Sequence, residues 1–316
     1  MSLSHLKSWP LNKKIVASIT LLVFSILLFN GLYSLIIHGD LKALESGSVG
    51  DKVTQLAQQK LDAKIDDFSF FKEIQKLIQE VDSKILNKGF YIQIGYNLIV
   101  FFGLSILFMK FFQVDELKSL NFRNKSVVLL LVVLVLAINV PSIGIDATSM
   151  LESILGESSL DDKKNLISQF ILFLPNAERG WIVTLIGIAL IPAIGEELMF
   201  RGFLMNLLAQ KSNHHNGIAV SALIFAVVHF NFTNFFFYFI LGVVMGYVYY
   251  WGRNLIFPII IHFVNNALVL FGYMYAISIE APEEFSQSYF FMPYIITGLS
   301  LLIFYLNFKR NENLLH

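Results

Sequence analysis

The chain has no cysteine in its 316 residues. That excludes a disulfide scaffold, a thiolate zinc site and a cysteine nucleophile. Charge is scarce as well: Asp, Glu, Lys and Arg make up 15%, against about 25% in an ordinary soluble domain. A soluble chain of this size could not cover its surface with so few charges. Neither sign is in excess, since 23 Lys and Arg face 23 Asp and Glu. A net charge of zero gives no support for a nucleic-acid partner, and none is expected. No internal repeat, low-complexity linker or HExxH helix is found. Intrinsic disorder is excluded by a hydrophobic content of 56% and a mean hydropathy of +0.65.

What the chain has instead is long apolar runs. A bilayer core of about 30 Å needs roughly 20 apolar residues per helix. Runs of that kind predict an all-α, polytopic transmembrane bundle of about eight spans. They are Ile15–Ile37, Phe90–Phe112, Val127–Ile145 (with Pro141 near its end), Trp181–Leu208, Gly217–Phe230, Phe235–Trp251, Leu255–Tyr273 and Tyr289–Phe308. The first follows Lys7, Lys13 and Lys14 but is too long for a signal-peptide core, so it is read as a retained span. Between the first two spans, residues 38–89 are polar. Their Ile65, Phe68, Ile74, Leu77, Ile78 and Val81 recur at helical spacing, which predicts amphipathic helices outside the bilayer core. A shorter amphipathic stretch, Leu166–Leu174, lies in an acidic loop.

The zero net charge resolves into unequal parts. With both termini cytoplasmic, the inner segments carry 11 cations against three acids, and the outer segments 11 cations against 18 acids. This agrees with the positive-inside rule. Only Glu196, Glu197 and Arg201 are left for the bilayer.

Ionisable groups within a membrane are costly and by default mark function. Besides those three, His229 and His262 stand out. Glu197 and Arg201 are four apart and share a helix face, whereas Glu196 lies about 100° round, so Arg201 cannot easily serve both. One glutamate is therefore expected to be neutralised structurally and the other left for chemistry. His262 and Asn266 are also four apart, as are Phe225 and His229. Counted along their helices, Glu196, His229 and Asn266 fall at similar depth, which fits one polar cavity. Gly242 and Gly246 form a GxxxG expected to pack closely against a neighbouring helix.

These residues read EExxxR (Glu196, Glu197, Arg201), FxxxH (Phe225, His229) and HxxxN (His262, Asn266) on successive apolar helices. The set resembles the CAAX-protease and bacteriocin-processing (CPBP, or Abi) family of intramembrane proteases, which includes the type II CAAX prenyl endopeptidases. The resemblance covers residues 180–275. It implies hydrolysis of a peptide bond by a water that Glu196 and His229 activate. His262 and Asn266 would hydrogen-bond the oxyanion, and Glu197, Arg201 and Phe225 would shape the site. A desolvated carboxylate suits proton transfer near neutral pH, and donors aimed at an oxyanion act most strongly at low dielectric.

The expected organisation is an N-terminal part, 1–150, with its outer segment 38–89; an acidic outer loop, 151–179; a catalytic core, 180–275; and a last span with a cytoplasmic tail, 276–316. The expected setting is a bacterial cell membrane, with the lipid bilayer and a membrane-associated peptide or CAAX-like C-terminus as partners. No cofactor is required on this reading. The competing one is a zinc site, since Glu196, His229 and His262 supply one carboxylate and two imidazoles. Two other functions compete: a non-catalytic immunity or binding protein with the same cavity, and a transporter. Against the transporter stand the missing repeat and the lack of paired broken helices.

Overall fold

In a computed structural model of the protein, the described residues are 8–45, 47–62, 64–112, 126–155, 164, 167, 171–231, 234–278 and 292–313. Nearly all of the charged linker, Gln113–Ser126, most of the acidic loop, the start of the last span and the tail beyond 313 lie outside them. Among the described residues the chain is helical and has no strand. The helices are α1 (Leu11–Glu45), α2 (Gly47–Leu61), α3 (Asp67–Glu80), α4 (Ser83–Phe112), α5 (Val127–Leu155), α6 (Gly180–Ala209), α7 (His214–Val228), α8 (Phe235–Gly252), α9 (Ile256–Ser278) and α10 (Met292–Asn313).

This is a helical membrane bundle. Each of the eight expected runs has its helix; among the described residues, α1, α4, α5, α6, α8 and α10 are long and apolar enough to cross a membrane. The described apolar stretch of α9, Ile256–Leu268, is shorter, and so is α7. With 15 residues, α7 rises about 22 Å, less than the bilayer core. Its C-cap residue is His229. Large apolar side chains stand out around the bundle, among them Leu35 at 77%, Ile182 at 76% and Ile99 at 71% exposure. In water such a surface would be a liability, whereas lipid tails cover it at no cost.

Several boundaries differ from the sequence reading, and α1 and α5 extend furthest. α1 runs to Glu45, beyond Ile37, because the polar stretch after Ile37 is rich in Leu, Ala, Lys and Glu, which favour helix. α5 runs through Pro141 to Leu155. Proline removes one backbone donor, but within a packed membrane bundle it does not end the helix.

The amphipathic segment folds as a cap on one end of the bundle. Asp66 starts α3 by accepting from the Ser69 backbone N–H at 2.8 Å. Phe70, Ile74, Leu77, Ile78 and Val81 then line up on one buried face and meet Val53, Leu56 and Ala57 of α2. Ile65 packs against this cluster, while the Phe68 side chain lies outside the described residues. Ile167, Ile171, Leu172 and Leu174 complete the second core, as does Leu270 of α9, the helix that carries His262.

Arg179 joins cap to bundle. It is 4% exposed and donates to the carbonyls of Leu86 (3.1 Å), Leu172 (3.2 Å) and Leu174, and to the Thr184 hydroxyl (3.3 Å). Its guanidinium lies 4.0 Å from the centre of the Phe90 ring. Arg179→Met leaves three buried carbonyls without this donor, and each orphaned group costs about 1–3 kcal/mol. Thermal unfolding in detergent should therefore fall by several degrees, with limited proteolysis cutting first in the cap.

Candidate active site

Both glutamates lie where α6 changes its winding. Ile191–Glu197 is α-helical and Leu198–Met205 is π-helical, after an earlier π stretch at Ile186–Leu190. π turns inside α-helices concentrate at functional sites. Their changed hydrogen-bond pattern frees carbonyls where regular winding resumes. Here the Asn206 amide donates to the carbonyls of Arg201 (2.9 Å) and Gly202 (3.0 Å), and to the Tyr249 hydroxyl (2.9 Å).

The two carboxylates have separate partners, as helical geometry requires. Glu197 is fully buried, and its Oε1 accepts from Arg201 Nη1 at 2.6 Å and from His262 Nδ1 at 2.9 Å. Arg201 spends another N–H on the Gly242 carbonyl of α8 at 3.1 Å and sits 4.8 Å from the centre of the Phe225 ring. Glu196 has none of these contacts. Its Oε2 is buried with no hydrogen-bond partner, 3.8 Å from His229 Nε2 and 3.8 Å from His262 Nε2.

The FxxxH spacing explains how His229 is held. Helix α7 stops at Val228, so the Phe225 carbonyl has lost its next-turn partner. The His229 ring fills that place, donating Nδ1–H to it at 2.6 Å. A carbonyl can only accept, so Nδ1 carries the proton and Nε2 presents its lone pair toward Glu196 in the neutral ring. In His262 the same logic applies to the Glu197 carboxylate, which again turns Nε2 toward Glu196. Phe225 meets the imidazoles edge-on, with ring centres 4.5 Å from His229 and 5.9 Å from His262. Beyond His229 the backbone turns sharply, with Phe230 at φ 49°.

Five of the seven residues singled out by sequence thus form one charged cluster: Glu196, Glu197, Arg201, His229 and His262. Phe225 lies at its centre. Asn266 is set apart, one turn beyond His262. Its amide is directed at the Ile188 carbonyl of α6 at 3.4 Å. Gly242 and Gly246 do pack as expected. A Cβ on Gly242 would come within 3.0 Å of Ala222 Cβ, and one on Gly246 within 2.7 Å of Ile218. The close approach of α7 and α8 also brings the Gly242 carbonyl to Arg201, a role the glycine motif did not announce. Sequence reasoning also missed Tyr238, whose ring stacks on His229 with centres 4.0 Å apart. The one available signal was its hydroxyl, within the run Phe235–Phe239.

Residues 178–268 match the family model described as type II CAAX prenyl endopeptidase, Rce1-like. This stretch is similar to that family's domain. It holds every member of the cluster, and its family is one of proteases. It begins one residue before Arg179, so the arginine that anchors the cap belongs to it. No curated protein and no solved structure is matched by the chain.

The donor set of the cluster bears on the metal question. Two imidazoles with Nδ1–H committed elsewhere, and one carboxylate, have the chemistry of zinc ligands. Donors about 2.1 Å from a tetrahedral zinc lie roughly 3.4 Å apart, and both histidine Nε2 atoms stand 3.8 Å from Glu196 Oε2. Among the described residues no group of His, Asp and Glu is arranged to hold a metal ion.

The buried ion pair yields a test. Arg201→Met strands Glu197 in an apolar core, which should destabilise the protein by about 3–5 kcal/mol. Adding Glu197→Gln removes the stranded charge. Thermal unfolding of the double variant should recover much of what the single variant loses.

Proposed function

We propose that the protein is an intramembrane endopeptidase that hydrolyses a peptide bond in a membrane-associated peptide or CAAX-like C-terminus. The observation that carries this reading is the unpartnered Glu196 Oε2, which faces two imidazole nitrogens at equal distance. At 3.8 Å neither nitrogen is hydrogen-bonded to the carboxylate directly. A water among them would give one proton to Glu196 and a hydrogen bond to His229 Nε2, and its oxygen would attack the scissile carbonyl. Glu196 then returns the proton to the leaving amine. No serine, cysteine or acyl intermediate is needed.

His262 serves the oxyanion. Because Nδ1–H is committed to Glu197, Nε2 can donate only when the ring is an imidazolium. Asn266 joins by turning its amide from Ile188, where the bond at 3.4 Å is long. On this reading no metal is required. The protein sits in a cell membrane as a multi-pass bundle with both termini cytoplasmic, and its substrate meets it within the bilayer.

Membrane peptidomes of cells with wild-type protein, Glu196→Ala or His229→Ala test the proposal. A set of cleavage products should be lost in both variants, with cleavage down on the order of 10²–10⁴-fold, while both proteins remain inserted and folded. Chelator treatment of purified protein should leave the rate unchanged. Full activity in Glu196→Ala would sink the mechanism, and loss of activity on chelation with restoration by zinc would replace it with a metal one.

A further inference from the structure

His229 needs more support than its hydrogen bond provides. It is the capping residue of a helix that has ended, and the left-handed Phe230 follows it. Its side chain is 23% exposed, against 4% for His262, so it is the more open of the two imidazoles. One hydrogen bond at Nδ1 fixes a point on the ring but not the plane, and rocking about that point would swing Nε2 away from Glu196.

The plane is held by a residue outside the three motifs. Tyr238, on the first turns of α8, stacks on the His229 ring with centres 4.0 Å apart and planes 21° apart. Tyr238 is itself wedged edge-on against Phe225, at 6.4 Å and 74°, and Phe237, at 5.4 Å and 86°. Phe225 is the residue whose carbonyl takes Nδ1–H, so the two restraints on His229 share one support. The connection to α8 is pinned too. Asn231 Oδ1 accepts from the Asn234 backbone N–H at 3.1 Å, and Asn234 C=O accepts from the Tyr238 N–H at 3.1 Å. These hydrogen bonds link Tyr238 to Asn234, and Asn234 to Asn231 beyond the end of α7.

We propose that Tyr238 is a positioning residue: its ring face holds the His229 imidazole in the plane that aims Nε2 at Glu196. The hydroxyl is not needed for this, and any flat aromatic ring would serve. The inference rests on the functional reading above for what His229 does, but the orientation of the ring can be measured without a substrate.

The experiment uses the full chain in detergent with ¹⁵N-labelled histidine, comparing wild type, Tyr238→Phe and Tyr238→Leu. The His229 signal should show a single Nδ1–H tautomer in wild type and Tyr238→Phe, and a mixture in Tyr238→Leu. A peptide containing a cleavage site lost in Glu196→Ala membranes serves as the activity probe. With it, kcat should be kept in Tyr238→Phe and fall on the order of 10²-fold in Tyr238→Leu, with KM unchanged. Thermal unfolding of Tyr238→Leu near that of wild type separates positioning from loss of fold. If Tyr238→Leu leaves tautomer and kcat unchanged while His229→Ala is inactive, the positioning role is wrong and the proteolytic reading stands. If Tyr238→Phe loses as much kcat as Tyr238→Leu, the hydroxyl acts and the stacking account is overturned. If His229→Ala remains active, the proteolytic reading falls, and the tautomer shift alone then decides whether Tyr238 holds the ring.

Discussion

Everything in this site depends on how one buried carboxylate is shared. Glu197 accepts from Arg201 on its own helix and from His262 on α9, while Arg201 reaches on to the Gly242 carbonyl of α8. Three helices are thereby tied at one point in an apolar bundle, where an unpaired charge is expensive. The arrangement also fixes the proton on His262 Nδ1. The adjacent Glu196 stands outside these hydrogen bonds, its Oε2 buried without a partner. Neighbouring glutamates come to have separate surroundings because a helix turns them about 100° apart.

The other elements follow from that division. Helix α7 stops at Val228, and its C-cap His229 stands 3.8 Å from Glu196. Its terminal carbonyl takes the His229 ring proton, so the end of the helix supplies the tautomer the site requires. Gly242 and Gly246 let α8 approach α7 closely enough for Arg201 to find an acceptor and for Tyr238 to lie on His229. The cap packs onto α9 through Leu270, and Arg179 fastens it to α4 and α6. The helix bearing His262 is therefore braced from outside the membrane core as well as within it.

Much of this was legible in the chain because it rests on rigid periodicities. Apolar run length marks the spans, and a separation of four residues pairs Glu197 with Arg201 and sets the Phe225 carbonyl under His229. The separation of Glu196 from Glu197 is the same arithmetic. What stayed hidden has no periodic signature. The π turns of α6 follow no residue pattern, and Asn206, which satisfies their freed carbonyls, looks like any polar residue near a helix end. Tyr238 is one ring in an aromatic run, and only the packing of α8 on α7 selects it. Asn266 shows the limit of spacing: four residues place it beside His262, but the neighbouring Ile188 carbonyl determines where its amide points.

The central claim is that the two adjacent glutamates do opposite things, one holding the fold and the other strained for chemistry. Thermal unfolding of Glu196→Gln beside Glu197→Gln tests it most directly and requires no substrate. Replacing an unpartnered buried carboxylate with a neutral amide should raise the unfolding temperature in Glu196→Gln. Removing the charge that Arg201 and His262 share should lower it in Glu197→Gln. The opposite order, with Glu196→Gln the less stable of the two, would contradict the account.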